Sequence, residues 1–264
     1  MVAELISVGT EILLGNIVNT NAAYLAEKCA LLGLSLYHQS VVGDNEARME
    51  DTIRRALERS DVVILTGGLG PTKDDLTKEV TAKVFKKALC EDAHTKERIM
   101  EFFQKIHNGE KITENNWKQA LIPEGAIIVE NQNGTAPGLI VIGDEGSGYE
   151  GKRAILIPGP PNECIPMFET QIAPYLSDLQ PEGIYSSMVK VCAIGESRAE
   201  TMVADLMDAQ TNPTLAPYAK TGEVHFRVTA KAKDEESAKC LMAPMLEELK
   251  KRFGDHIYTT KEEV

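Results

Sequence analysis

The chain has 264 residues and a mass of 28.9 kDa, enough for one large domain or two smaller ones. Hydrophobic residues at 43% and charged residues at 26% allow a sizeable core and argue against whole-chain disorder, while aromatic residues at 5% make that core aliphatic. Lys and Arg number 28 against 40 Asp and Glu, a formal charge of −12, which argues against a general nucleic-acid binder and against electrostatic attachment to a membrane.

Ala3–Val8 reads as a strand ended by Gly9, and the apolar residues at 22, 25, 26, 29 and 32 mark a helix over 21–32 that Gly33 stops. A second strand is expected over 34–42, a helix over 47–57, and a fully buried strand over 61–66. A helix over 76–88 and a polar helical stretch over 97–106 follow, then strands at 126–129, 139–142 and 154–157, with 143–151 as an exposed hairpin or loop. The β-α-β-α-β opening implies a parallel, helix-covered sheet, whose ligands bind beyond the carboxyl ends of the strands. The segment Asp178–Gly183 reads as a linker. Beyond it a small α+β unit is expected, with strands at 187–193 and 225–232 and helices at 197–207 and 235–253.

The five cysteines are scattered and lack a C-x-x-C pair, so neither a disulfide framework nor a zinc site is expected, and a reducing compartment fits. The N-terminus has no basic n-region and no apolar run approaches the roughly 20 residues of a membrane span. A cytoplasmic protein is the expectation.

The most informative segment is Thr66-Gly67-Gly68-Leu69-Gly70-Pro71-Thr72-Lys73-Asp74-Asp75-Leu76-Thr77. Glycines after a buried strand let a ligand approach the backbone, and the following helix presents its free N–H groups to an anion. Asp74 and Asp75 beside such a site suit a divalent cation shared with substrate phosphates. One aspartate could instead cap the helix; Asp74 fits either role, and Asp75 reads as functional because one cap needs one Asp. Neither a Walker A loop nor a dinucleotide fingerprint fits, because Asp74 follows Lys73 and Lys73 stands where a third glycine would be needed. In Gly9–Asn21, Thr20 or Asn19 caps the next helix, and Glu11 is read as facing a ligand or metal. Asn133–Gly138 and Pro158–Glu163 each read alone as turns.

Taken together, Gly9–Gly15 with Asn19-Thr20-Asn21, Thr66–Thr77, Asn133–Leu139 and Pro158–Glu163 closely resemble the CinA (competence/damage-inducible) family. Tyr218–Val224 and Arg227–Ala230 resemble the small KH-like domain that follows in that family. The resemblance implies an α/β fold: a three-layer α/β/α domain of MogA/MoaB type, molybdopterin-binding-like, over 1–175, and a small α+β KH-like domain over 183–264. It also implies metal-dependent pyrophosphatase activity on ADP-ribose or related compounds such as FAD or CoA-like nucleotides. Longer members continue into a nicotinamide mononucleotide deamidase domain. That activity is not carried over to these 264 residues. Nucleic-acid-binding KH domains use a G-x-x-G loop, and the nearest match, Gly195-Glu196-Ser197-Arg198, lacks its second glycine.

The expected mechanism is hydrolysis of a diphosphate bond. Asp75, Asp74 and Glu11 would hold divalent metal, Mg²⁺ or Co²⁺, with K⁺ as an accessory ion, and Lys73 would clamp charge. Thr10, Asn19, Thr20, Asn21, Gly67, Gly68, Gly70, Thr72, Thr77, Asn133, Thr135, Pro158 and Gly159 would contact the substrate. No histidine lies in these segments, and a metal-bound hydroxide needs none. The partners expected are a small nucleotide substrate and a second copy of the chain, with no nucleic acid and no membrane. The rivals are a non-catalytic molybdopterin- or nucleotide-binding module and a molybdopterin adenylyltransferase-like enzyme.

Overall fold

The computed structural model describes residues 1–106, 112–179, 183–220 and 222–260. The chain divides into two compact units, one formed by Met1–Ala30 and Leu34–Leu179 and the other by the residues that follow together with Leu31–Gly33.

In chain order the first unit contains β1 (Val2–Val8), α1 (Thr10–Leu13), α2 (Thr20–Leu31), β2 (Ser35–Val42), α3 (Glu46–Arg59), β3 (Val62–Thr66), α4 (Thr77–Val84), β4 (Leu89–Glu91) and α5 (Ala93–Ile106). A 3₁₀ helix (Glu114–Ala120) leads to β5 (Leu121–Pro123), β6 (Ile127–Val129), β7 (Gly138–Ile142), β8 (Arg153–Ile157), α6 (Pro161–Met167), a π-helical turn (Phe168–Ile172) and α7 (Ala173–Leu179).

The main sheet runs β2-β1-β3-β8-β7-β6. Its first four strands are parallel, as the alternating opening implies, but β7 pairs antiparallel with β8, and β6 with β7. The sheet is therefore mixed. Successive residues of β1, β3 and β8 are buried on both faces, hence their unbroken apolar runs. One face packs Ile6, Val8, Val63, Leu65, Leu139 and Leu156 against Met49, Ile53 and Leu57 of α3 and Val80 and Val84 of α4. The buried Leu25, Cys29, Phe168, Ile172 and Leu176 belong to helices of the other layer, where the Tyr24 ring meets Phe168 edge-on at 6.2 Å.

Local signals place the helix ends. Gly33 takes φ 83°, and the Leu34 N–H donates to the Cys29 carbonyl at 2.9 Å, the long bond of a Schellman C-cap. Asn45 caps α3 by accepting from the Arg48 N–H. The helix expected over 76–88 stops at Val84, because Lys86 adopts φ 56° and turns the chain into β4, which pairs with β5. The 143–151 loop is anchored rather than loose, since Tyr149 packs on Phe85 at 5.8 Å and Ser147 is buried.

The second unit contains β9 (Gly183–Cys192), α8 (Glu196–Thr201), α9 (Ala204–Asp208), β10 (Thr214–Lys220), β11 (Glu223–Ala232), α10 (Glu235–Phe253) and β12 (Ile257–Thr259). Its antiparallel sheet has the order β10-β11-β9-β12, and its core gathers Val189, Val191, Phe226 and Val228 with Leu249 and Phe253 of α10. The single helix expected over 197–207 is two, broken at Val203. β10 escapes a pattern reading because Pro217 interrupts it; as an edge strand it tolerates a residue without an N–H. Of the expected linker, residues 180–182 lie outside the described residues, as does Thr221 of the Tyr218–Val224 motif.

Candidate functional site

The carboxyl ends of β1, β2, β3 and β8 open on a cleft of about 910 Å³. It is lined by Gly9, Glu11, Asn19 to Asn21, Asp44, Gly67 to Thr72, Asp74, Asp75, Asn133 to Thr135 and Pro158 to Pro161, among others. The segments expected to form one site are thus brought together from four separate stretches of chain.

The glycine loop after β3 is shaped from behind. A Cβ on Gly67 would stand 2.3 Å from the Val8 carbonyl oxygen, and one on Gly68 would stand 2.2 Å from the Thr77 hydroxyl. The first two glycines are therefore required by protein packing, a different reason from the ligand approach expected of them. The Thr77 hydroxyl donates to the Gly67 carbonyl at 2.8 Å and is buried, so Thr77 braces the loop and does not face the cleft.

Neither aspartate caps α4, whose N-terminus has no side-chain cap. Asp75 Oδ2 instead accepts from the Thr72 N–H at 2.9 Å and its hydroxyl at 2.6 Å, closing the loop on itself. Behind it Lys118 donates from Nζ to the Thr72 carbonyl at 3.0 Å and also to the Asp75 carbonyl. Lys78 is buried and donates to the Lys118 carbonyl, and burial pushes its ammonium down to about 8. Asp74 makes no hydrogen bond among the described residues and lines the cleft. Lys73 is exposed, bonds to nothing among the described residues and is not part of the lining, so the structure does not place it as a clamp.

Glu11, also in the lining, sits on α1 with its carboxylate folded over Gly9. Thr10 also falls outside the lining: its N–H and hydroxyl both donate to Asp44, at 3.0 and 2.7 Å. Asn19 is the cap of α2, accepting from the Ala22 N–H while its amide donates to Ser7. Thr20 and Asn21 open α2 into the cleft, and Asn21 donates to the Gly159 carbonyl at 2.7 Å, tying α2 to the β8–α6 turn.

Several lining residues were not singled out from sequence. Asp44 follows β2, and the strand-end rule that selected the other loops points to it as well. Glu163 lies inside a quoted segment, but only its surroundings mark it: burial pushes its carboxyl above the ordinary range, partly offset by Asn131. Phe102 and Gln119 arrive from α5 and the 3₁₀ helix with no spacing signal. The Gln119 Oε1 is buried without a partner among the described residues.

The charge of the lining is lopsided. Among the described residues it carries five carboxylates, on Glu11, Asp44, Asp74, Asp75 and Glu163, and no Lys, Arg or His. No three His, Cys, Asp or Glu side chains among the described residues converge into a ready-made cation cage. The donors present fit a metal held in part by substrate: among the described residues Asp75 Oδ1 accepts no hydrogen bond and Asp74 has no partner, the one or two carboxylates that Mg²⁺ takes alongside phosphate oxygens and water.

Residues 4–178 match the family described as "Probable molybdopterin binding domain", and residues 186–259 match the "Damage-inducible protein CinA KH domain". A CinA-like protein of Dictyoglomus turgidum is 50% identical over 268 residues, covering 100% of this chain and 63% of that protein. The chain belongs to the CinA family. A Clostridium beijerinckii protein named as competence-damage inducible is 49% identical over 262 residues, 99% of this chain and 62% of that one. This CinA-family chain therefore spans just over three fifths of the curated relatives it matches. The crystal structure of a CinA protein of unknown function from Thermoplasma acidophilum superposes with a TM-score of 0.57 at 36% identity, covering 65% of this chain and 97% of that one. No helix among the described residues is long and apolar enough to cross a membrane.

Proposed function

We propose that the first unit is a metal-dependent pyrophosphatase that hydrolyses the diphosphate bond of ADP-ribose or a related nucleotide such as FAD or a CoA-like compound. The observation that carries this reading is the pairing of a nucleotide-sized cleft at the strand ends with a lining of carboxylates and no basic side chain among the described residues. A diphosphate alone would be repelled there, whereas a diphosphate with a divalent cation between it and the carboxylates is held.

Asp75 and Asp74 would hold Mg²⁺ or Co²⁺ together with substrate phosphate oxygens, while Glu11 adds a further carboxylate to the same lining. When bound, the ion supplies charge neutralisation on the phosphoryl oxygens and a water of lowered pKa. The chain's own contribution is positioning. The Thr72–Asp75 loop, locked by its internal hydrogen bonds and by Lys118, holds the carboxylates in place. The open end of α2 offers the Asn21 backbone N–H and the Thr20 side chain to phosphate, the Thr20 and Ala22 N–H groups being taken by the Val18 carbonyl and Asn19. Asn133, Thr135, Pro158 and Gly159 form the wall along which the rest of the nucleotide lies. Water adds to one phosphorus as the bridging P–O bond breaks, so ADP-ribose yields AMP and ribose 5-phosphate.

The test is a metal-by-substrate screen over ADP-ribose, FAD, NAD and coenzyme A, read as AMP release from the first. Release that requires Mg²⁺ or Co²⁺ supports the reading. Ligand binding without release across all metals overturns it in favour of a molybdopterin- or nucleotide-binding module, the reading that the molybdopterin-binding description of residues 4–178 favours. Transfer of AMP from ATP to molybdopterin would point to an adenylyltransferase-like enzyme instead.

A further inference from the structure

One end of the cleft carries groups that the hydrolytic chemistry does not use. Glu163, on α6, lines the cleft and is half-buried. Its Oε2 accepts from Asn131 Nδ2 at 2.6 Å, and its Oε1 accepts nothing among the described residues. Asn131 is itself 3% exposed and fully engaged: Nδ2 also donates to the Ala136 carbonyl at 2.8 Å, and Oδ1 accepts from the Asn133 N–H at 3.0 Å. The carboxylate is thus fixed by a buried amide.

Gly134 makes room for it. A Cβ there would lie 2.2 Å from Glu163 Oε2 and 2.8 Å from Asn131 Nδ2. α5 is fastened to the same loop, because Arg98 donates to the Asn131 carbonyl at 2.5 Å and pairs with Glu130. Phe102 stands four residues further along α5, on the same helix face, and lines the cleft.

A carboxylate drawn partly out of water, with one oxygen bonded and the other unmatched, calls for hydrogen-bond donors from a ligand. It repels phosphate, so the diphosphate belongs at the Asp74–Asp75 end and an uncharged, donor-rich group belongs here. Vicinal hydroxyls provide two O–H donors for the two oxygens of one carboxylate. A flat apolar ring in the same lining, as Phe102 provides, suits a nucleobase.

We infer that Phe102, Asn133, Gly134, Thr135 and Glu163 form the nucleoside end of the cleft, where Glu163 accepts hydrogen bonds from the vicinal hydroxyls of a ribose and Phe102 contacts the base. This rests on the cleft being a nucleotide site, but not on hydrolysis. It makes the site selective for ribonucleotides, and a 2′-phosphate is excluded by like charge.

The test compares AMP with 2′,3′-dideoxy-AMP by titration calorimetry on the full chain in Mg²⁺. The expected result is AMP bound at least about 10-fold tighter. Glu163→Gln should bring AMP close to the dideoxy value and leave the dideoxy nucleotide unchanged. Phe102→Ala should weaken both nucleotides by a similar factor and preserve their ratio. Equal binding of the two nucleotides by the native chain, an unchanged ratio in Glu163→Gln, or undiminished affinity in Phe102→Ala overturns the assignment while leaving the nucleotide site standing. If neither nucleotide binds the native chain, the nucleotide reading of the cleft fails and the assignment falls with it.

Discussion

The glycine loop after β3 makes a quantitative prediction. Gly67 has φ 98°, its N–H donates to the Ile157 carbonyl at 3.0 Å, and its carbonyl accepts from Thr77. The backbone there is held on both sides, and a Cβ would stand 2.3 Å from the Val8 oxygen. An alanine therefore carries the cost of positive φ, about 1–2 kcal/mol, and an overpacking cost of about 1–3 kcal/mol against a strand that cannot retreat. The expected loss for Gly67→Ala is about 2–5 kcal/mol. Gly146→Ala is the control: it has φ 80° and nothing within 4 Å of its Cβ, so only the backbone term of about 1–2 kcal/mol applies. The chain's single tryptophan, Trp117, lies in the first unit and reports its unfolding in urea without interference from the second. In thermal melts the overpacking cost alone should separate the two variants by about 2–12 °C. If Gly67→Ala costs no more than Gly146→Ala, the packing account of the loop is wrong.

Asp75→Asn keeps an acceptor for the Thr72 N–H and hydroxyl, so stability should change by about 1 kcal/mol or less while AMP release from ADP-ribose falls at least about 100-fold; full turnover in a folded variant would remove Asp75 from the metal site. Lys78 tests the cluster behind the loop. Burial holds its ammonium near 8 against an ordinary 10.5, with Glu79 and Lys118 as its charged neighbours. The folded state therefore carries an unfavourable charge below about pH 8 that is relieved as pH rises toward 10.5. Relative to Lys78→Met, the wild-type chain should gain up to about 3 kcal/mol between pH 7.5 and 10, read by Trp117 in urea, and a pH-independent difference would contradict the burial argument.

What sequence could and could not show follows from where the constraints lie. β1, β3 and β8 are legible because strands covered on both faces must be apolar throughout. The Gly67–Asp75 loop is legible as a motif, but the reason for its first two glycines is a strand carbonyl and a hydroxyl that only the fold brings against them. Lys73 and Thr77 show the limit of adjacency. They flank Asp74 and Asp75 in sequence, yet one turns to solvent and the other turns inward to hold the loop. Phe102 reaches the cleft from α5 with no spacing signal, Asp44 needed only the strand-end rule applied to β2, and Glu163 lies in a quoted segment but its half-burial leaves no mark in residue spacing. The antiparallel turn of β7 and β6 is equally silent, because a short apolar run reads the same in either direction.

The central claim is that a cleft rich in carboxylates, and without basic side chains among the described residues, holds a diphosphate only through bound cations. Titration of α,β-methylene ADP-ribose, whose P–C–P bridge resists hydrolysis, isolates binding from turnover. The account predicts no measurable binding in EDTA and binding that appears and tightens as Mg²⁺ or Co²⁺ is added. Binding of equal strength in EDTA and in Mg²⁺ would contradict it.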